Sequence, residues 1–288
     1  MSRICILTDS TVQFPGSIDA AEEHVYVIPM HIALHKQLFT DGRDLKPYQL
    51  LESGRNGDIP RTLPPTIDEF REMYAFLGTR YNEVMVILTS SQLNPAVQNA
   101  QQAAVQSKSP IVAHVIDSQS TAIGMGYLVK SAAQAIQAGA NSLEINRLIR
   151  GILPHVYTIF CLQSLRYLAN TGYLDPAQAI IGEMLGVIPF FILENGKLVP
   201  IQKARSSRQI VDLLYEFICE FTDLEHIGIL QGVPPFEQEI RNLRERVAQT
   251  FPTTHVSEHS MGSALVATLG PHSLSVFTIE RNSPSAYS

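Results

Sequence analysis

The chain has 288 residues, of which 45% are hydrophobic and 17% are charged, and its formal net charge is −6. This composition is typical of a folded protein with a substantial core and excludes a disordered chain. The acidic balance argues against a general nucleic-acid or anionic-membrane surface, because both require clustered Lys and Arg.

Membrane spans and disulfides are not expected from the sequence. No stretch approaches the roughly 18–20 apolar residues that a membrane helix requires, and the apolar start of the chain is too short for a signal-peptide core. Cys5, Cys161 and Cys219 are far apart, each among apolar residues, without a CxxC or zinc framework. We interpret them as reduced core residues and expect a cytoplasmic location.

In the first half, short β-branched runs alternate with longer helical patterns. The predicted strands are Arg3–Thr8, Val25–Leu34, Val84–Leu88 and Ile111–Ile116. The predicted helices are Ile67–Leu77, Asn94–Gln106 and Ala122–Gln137. Thr66 and Glu69 are spaced as a capping box at the start of the first of these helices. This alternation predicts a mostly parallel sheet covered by helices on both faces.

The second half has a different pattern. The predicted helices are Leu143–Leu153, Leu165–Ala169, Ala177–Leu185, Gln209–Phe221 and Phe236–Thr250. The predicted strands are Val156–Leu162, Val187–Leu193, Lys197–Ile201, His226–Leu230, His255–Val256 and Leu274–Ile279. Glu194-Asn195-Gly196 suits a hairpin turn, so a mixed sheet with helices is expected. The sequence therefore predicts an α/β protein with domains at 1–153 and 154–281 and a flexible tail at 282–288.

Hydroxyl side chains follow several of the predicted strands. The clusters are Thr8-Asp9-Ser10-Thr11, Thr89-Ser90-Ser91 and Asp117-Ser118, and a proline loop from Arg61 to Thr66 carries two threonines. The carboxyl ends of parallel strands share one edge of a sheet, where ligands commonly bind. Ser90, Ser91 and Ser118 are therefore candidate ligand-binding residues, although the same residue types also cap helices.

The order of these motifs resembles the DegV family over nearly the whole chain. Besides the strand-end clusters, the resemblance rests on Val27-Ile28-Pro29, Thr40-Asp41-Gly42, Gly124-Met125-Gly126, Leu162–Leu168, Ile188-Pro189, Ala204-Arg205 and Leu269-Gly270-Pro271. It implies a FakB-like, bacterial lipid-binding protein that buries a long-chain fatty acid between two α/β domains. It also implies a partner, a FakA-like fatty-acid kinase, to which the carboxylate is presented.

The resemblance also implies which residues hold the carboxylate. Thr62 matches the family's threonine and Arg205 its arginine, whereas Asn94 and Thr268 stand where the family has Ser and His. Thr62 and Thr268 could each donate an O–H and Asn94 an N–H, and Arg205 could supply a permanent positive charge. Thr171-Gly172-Tyr173 and Ile188 depart from the family's kinase-facing residues.

Other interpretations remain open at this stage. An enzyme acting on an acyl or phosphorylated small molecule in the same cleft is the main alternative, and an uncharged lipid as ligand is a third. His255 and His259 have the spacing of a metal pair but lack a convincing third ligand. No Gly-x-Ser-x-Gly elbow and no phosphate-binding P-loop motif occurs. We therefore predict no catalytic residue, no metal and no cofactor.

Overall fold

The computed structural model describes residues 3–16, 24–51 and 58–281. Its strands are β1 (Ile4–Asp9), β2 (Val25–Ile28), β3 (His31–Leu34), β4 (Gln37–Thr40), β5 (Arg61–Leu63), β6 (Glu83–Leu88), β7 (Val112–Asp117), β8 (Val156–Leu162), β9 (Ile188–Glu194), β10 (Lys197–Ala204), β11 (Leu224–Gln231), β12 (His255–Ser260) and β13 (Ser273–Glu280). Its α-helices are α1 (Ile67–Leu77), α2 (Ala96–Gln106), α3 (Ala122–Gln137), α4 (Ser142–Ile152), α5 (Arg166–Asn170), α6 (Pro176–Met184), α7 (Ser207–Cys219), α8 (Glu237–Thr250) and α9 (Ser263–Leu269). The α/β class and the mixture of parallel and antiparallel strands confirm the predicted fold class.

The first sheet is parallel throughout, in the order β2-β1-β6-β7. Successive side chains of β1 point to opposite faces: Ile6 packs with α3 and α4, and Leu7 packs with α1 and α2. Helices cover both faces, so every residue of β1 is buried. The predicted capping box of α1 is also present, because Thr66 and Glu69 accept each other's backbone N–H groups.

A small antiparallel sheet in the order β4-β3-β5 was not predicted. The predicted strand Val25–Leu34 is wrong as a single element, because it divides at Pro29. Proline has no N–H to donate to a strand ladder, so β2 ends before it and β3 begins a new sheet after it. The proline loop contributes β5, in which Thr62 pairs with Ile32.

The second large sheet has six strands in the order β10-β9-β8-β13-β11-β12. The predicted β9–β10 hairpin is confirmed, with Asn195 and Gly196 at positive φ in the turn. One face packs against α7 and α8, and the other packs against α9 and residues of the first half, including Ile32 and Leu34. One hydrophobic cluster therefore joins the two halves. The predicted boundary at 153 falls between α4 and β8, and the division into domains stays a prediction.

Helix α3 lies unusually close to its neighbours. A Cβ on Gly126 would lie 1.9 Å from the backbone oxygen of Gln13, and one on Gly124 would lie 2.8 Å from Val156 Cγ1. The two glycines therefore allow close packing of α3. None of the helices in the described part of the chain combines the length and apolar character needed to cross a bilayer. The predicted tail 282–288 lies outside the described residues.

Candidate functional site

An internal cavity of about 220 Å³ lies where the small sheet, α9 and the strand ends of the parallel sheet meet. Residues from both halves of the chain form its wall. They are Thr11, Met30, Arg61, Thr62, Leu63, Pro64, Thr89, Leu93, Asn94, Pro95, Thr121, Phe160, Thr171, Tyr173, Leu198, Leu265, Thr268 and Leu269. Most of the wall is apolar, and the polar groups are hydroxyls, one amide and one guanidinium.

Two threonine hydroxyls share one carbonyl at the edge of this cavity. Thr62 Oγ1 is 2.7 Å and Thr268 Oγ1 is 2.9 Å from the carbonyl oxygen of Ala264, and the two hydroxyls are 2.9 Å apart. Each hydroxyl has a single hydrogen. Thr268 can donate its hydrogen to the carbonyl of Ala264, four residues earlier in α9. That carbonyl then has a donor, and the Thr62 hydroxyl is free to donate its own hydrogen elsewhere. The pair can therefore offer one O–H to a ligand without leaving a buried acceptor unpaired.

Asn94 also lines the cavity and lies two residues before the start of α2. Its Oδ1 accepts the backbone N–H of Ala96 at 2.9 Å, which fixes the side chain at the start of the helix. Its Nδ2 group has no hydrogen-bond partner among the described residues, and the side chain is only partly buried. Asn94 can therefore donate an N–H into the cavity, as the sequence indicated.

Arg61, and not Arg205, lines the cavity. Arg61 is the one charged side chain in the cavity wall among the described residues. Arg205 does not line this cavity: it follows β10, an outer strand of the six-stranded sheet, and it is exposed, as Arg61 also is. Its role in ligand binding stays a prediction. Sequence alone gave Arg61 no signal beyond its place next to Thr62.

The three predicted serines do not line this cavity. Ser90 Oγ donates to the carbonyl of Gly196 at 2.8 Å, Ser118 Oγ donates to Ser120 at 3.0 Å, and Ser91 donates to the Asp117 carboxylate. Each of the three hydroxyls has an acceptor within the fold, and a role for these serines in ligand binding stays a prediction. Ser90 instead ties the first half of the chain to the β9–β10 turn.

Three threonines that were not among the predicted ligand-binding residues form a polar part of the wall. Thr11 Oγ1 and Thr89 Oγ1 are 2.6 Å apart, and Thr121 Oγ1 is 3.3 Å from Thr11 Oγ1. Behind them is Asp9, which is fully buried and accepts from Thr11 and Thr89 through both backbone and hydroxyl groups at 2.6–3.2 Å. Burial raises the pKa of Asp9, while these hydrogen bonds act in the opposite direction. The strand-end clusters named Thr11 and Thr89, whereas nothing in the sequence marked Thr121.

Comparison with known proteins identifies the fold. The family model described as "Uncharacterised protein, DegV family" matches residues 3–281. The chain belongs to the DegV family. It is 27% identical over 286 residues to a DegV domain-containing protein of Caldanaerobacter subterraneus subsp. tengcongensis, covering 98% of this chain and 100% of that one. It is 25% identical to Protein DegV of Bacillus subtilis, with 95% and 98% covered.

Solved structures share this DegV fold at lower sequence identity. A fatty-acid-binding DegV family protein of Streptococcus agalactiae has a TM-score of 0.86 at 20% identity, covering 98% of this chain and 100% of that one. The fatty acid kinase B3 protein of Streptococcus pneumoniae, loaded with linoleic acid, has a TM-score of 0.85 at 20% identity, with 97% and 100% covered. The DegV resemblance seen in the sequence motifs is thus confirmed.

Proposed function

We propose that this DegV protein binds a long-chain fatty acid between its two halves. The carboxylate is held by Thr62 and Asn94, with Thr268 satisfying the Ala264 carbonyl so that the Thr62 hydroxyl is free to donate, and with Arg61 also in the cavity wall. The observation that carries this proposal is a mostly apolar cavity whose wall also contains hydrogen-bond donors and, among the described residues, one cationic side chain. The solved DegV proteins described as fatty-acid binding, from Thermus thermophilus and Bacillus subtilis, support the choice of ligand.

The apolar wall supplies most of the binding energy in this proposal. Each buried methylene contributes about 0.8 kcal/mol, so a dozen contribute roughly 10 kcal/mol before the costs of binding. The cavity of about 220 Å³ is smaller than the roughly 300–1,000 Å³ of typical small-molecule sites. A long acyl chain therefore extends into the adjoining hydrophobic cluster, where Phe160, Leu265 and Leu269 border the cavity. These side chains move aside when the ligand enters.

Electrostatics orients the ligand within the cavity. A buried carboxylate requires donors or a positive charge, because desolvating it unpaired is prohibitive. Thr62, Asn94 and Arg61 supply such groups. The Thr11 and Thr89 hydroxyls lie 2.6 and 3.2 Å from Asp9 Oδ1 and donate to it, so they are not free to donate to a second carboxylate. The head group therefore lies at Thr62 and away from Asp9.

The role that follows is that of a cytoplasmic carrier rather than an enzyme. A FakA-like fatty-acid kinase is the proposed partner, to which the two-domain protein presents the carboxylate. An enzyme in the same cleft would need a base beside Ser90 or Ser118. Both hydroxyls instead donate to backbone carbonyls, which favours the carrier over that alternative.

Mass spectrometry of the intact protein tests the ligand. Gentle conditions are expected to show a mass increment that disappears on denaturation, with release of a long-chain fatty acid. Added fatty acid should bind the delipidated protein at a ratio of one to one. Failure to retain or to rebind any fatty acid would reject the proposal.

A further inference from the structure

A second cavity lies between the two halves of the chain, in a fork of the six-stranded sheet. Residues 159–161 of β8 pair with residues 190–192 of β9, but β8 begins at Val156 and β9 continues to Glu194. The two strands therefore continue past the point where their pairing stops. A cleft of about 720 Å³ opens there, and its remaining walls come from the β7–α3 loop, the α4–β8 turn, β10 and the end of α7. We call it the fork cleft.

The fork cleft is separate from the cavity proposed for the fatty acid. Among the described residues, no side chain lines both. Ser90 donates its hydroxyl to the carbonyl of Gly196 at 2.8 Å and its backbone N–H to the carbonyl of Ser120 at 2.8 Å. Gly196 and Ser120 line the fork cleft, whereas Thr89 and Thr121, the chain neighbours of Ser90 and Ser120, line the fatty-acid cavity. The contacts of Ser90 therefore run along the boundary between the two cavities.

The size and the aromatic wall of the fork cleft suit a small molecule. Small-molecule sites usually measure about 300–1,000 Å³. The ring centroids of Tyr157 and Phe221 are 4.5 Å apart, and Phe217 meets Phe221 edge-on at 5.4 Å. The Tyr157 hydroxyl donates to Glu280 at 3.0 Å, which fixes the orientation of its ring. Because the face of an aromatic ring attracts a cation, this wall favours a positively charged ligand.

The charges in the wall have the same preference. Glu194, at the end of β9, and Glu220, directly after α7, line the fork cleft, and no Lys, Arg or His of the described part of the chain does. Lys197 and Lys203 are near in sequence but are exposed and lie outside the wall. The last turn of α7 contains no basic residue, so the partial negative charge at this helix end is not offset within the helix. The wall is therefore electronegative.

A buried hydroxyl in the wall has no partner. Thr158 lines the fork cleft from β8 and is 2% exposed, and its hydroxyl makes no hydrogen bond with another described residue. Buried polar groups in folded proteins are normally hydrogen-bonded. The oxygen of a hydroxyl can accept an N–H. Thr158 can therefore offer a ligand a hydrogen bond that the fold itself does not use.

We propose that the fork cleft binds a small organic ammonium ion with an apolar body. The ammonium group is attracted by the aromatic faces and by the carboxylates of Glu194 and Glu220. The apolar body packs against Ile192, Leu193 and other aliphatic side chains of the wall. The same charges repel an anion, so a fatty acid is excluded from this cleft.

Titrations followed by amide NMR test the class of ligand. Phenylbutylammonium is the probe, and phenylbutanol and phenylbutyrate carry the same apolar body with no charge and with a negative charge. The cation should bind about tenfold more tightly than the alcohol, with shifts at the β8–β9 fork and at the end of α7. Phenylbutyrate should shift no amide of the fork cleft. Equal affinities for the cation and the alcohol, or cation shifts confined to other parts of the chain, would overturn the proposal.

Matched variants test the residues of the fork cleft. Glu220→Gln removes one exposed charge and should weaken binding of phenylbutylammonium about 2- to 5-fold. Glu216→Gln removes the same charge one turn earlier in α7, outside the wall, and should leave the affinity unchanged. Phe221→Leu keeps an apolar side chain but removes the ring, so it should weaken binding of the cation more than that of the alcohol.

An affinity for phenylbutylammonium that stays the same in both Glu220→Gln and Phe221→Leu would reject the site. Both variants lie outside the fatty-acid cavity. The ammonium site and the carrier function therefore fail separately.

Discussion

Replacing Thr62 with valine should separate ligand binding from folding. The substitution keeps the shape of the side chain and removes the hydroxyl. Thr268 still donates to the Ala264 carbonyl at 2.9 Å. The free energy of unfolding should therefore fall by only about 1 kcal/mol, the usual net contribution of one hydrogen bond. A hydrogen bond to a carboxylate contributes about 1.5–3 kcal/mol. Because about 1.4 kcal/mol corresponds to a factor of ten, fatty-acid affinity should fall roughly 10- to 150-fold.

Ser90→Ala is the matched control with the opposite expectation. Ser90 lies outside the cavity, donates to Gly196 at 2.8 Å and accepts from the backbone of Gln92 at 3.2 Å. Its loss leaves buried groups unpaired and should destabilise the fold by about 1–3 kcal/mol, with affinity unchanged. Titration of delipidated protein with a fluorescent fatty acid gives the affinities, and urea unfolding gives the stabilities. Equal affinities for the two variants would refute the assignment of Thr62.

Three further predictions concern a cation, a close contact and a buried carboxylate. Arg61→Gln should weaken fatty-acid binding about 3- to 10-fold at low salt, whereas Arg205→Gln, which lies outside the cavity wall, should not; equal fatty-acid affinities for the two variants would contradict the proposed role of Arg61. Gly126→Ala should lower Tm by about 5 °C or more, because its Cβ would overlap a backbone oxygen 1.9 Å away, while Gly262→Ala, with open space, should change Tm little in the same thermal scan. Asp9→Asn should lower the free energy of unfolding in urea by about 1–3 kcal/mol. The Asp9 carboxyl oxygens accept four hydrogen bonds, and the amide NH₂ of asparagine would point a donor at one of these four donors. An unchanged urea midpoint would show that those contacts contribute little.

The large elements could be predicted because their patterns are local. Buried β-branched runs and the capping box at Thr66 and Glu69 identified the parallel sheet and α1. The small antiparallel sheet could not be predicted in this way. Its strands have three or four residues and are partly exposed, so they lack the length over which alternation becomes visible. Helix α9 was missed for the same reason, since it has seven residues.

The candidate site was predicted only where the family motif named a residue that also faces the cavity. Thr62, Asn94 and Thr268 meet both conditions. The three serines do not line the cavity. Strand-end hydroxyls can serve either a ligand or the fold, and sequence does not show which acceptor each one meets. Arg61 and Thr121 were missed because their position depends on how β5 and α3 pack.

A crystal structure of the delipidated protein soaked with a long-chain fatty acid tests the central claim most directly. The acyl chain should lie between the six-stranded sheet and the first half of the chain. Its carboxylate oxygens should be within about 3.2 Å of Thr62 Oγ1 and Asn94 Nδ2. A carboxylate bound elsewhere, or a cavity that stays closed at saturating ligand, would contradict the account.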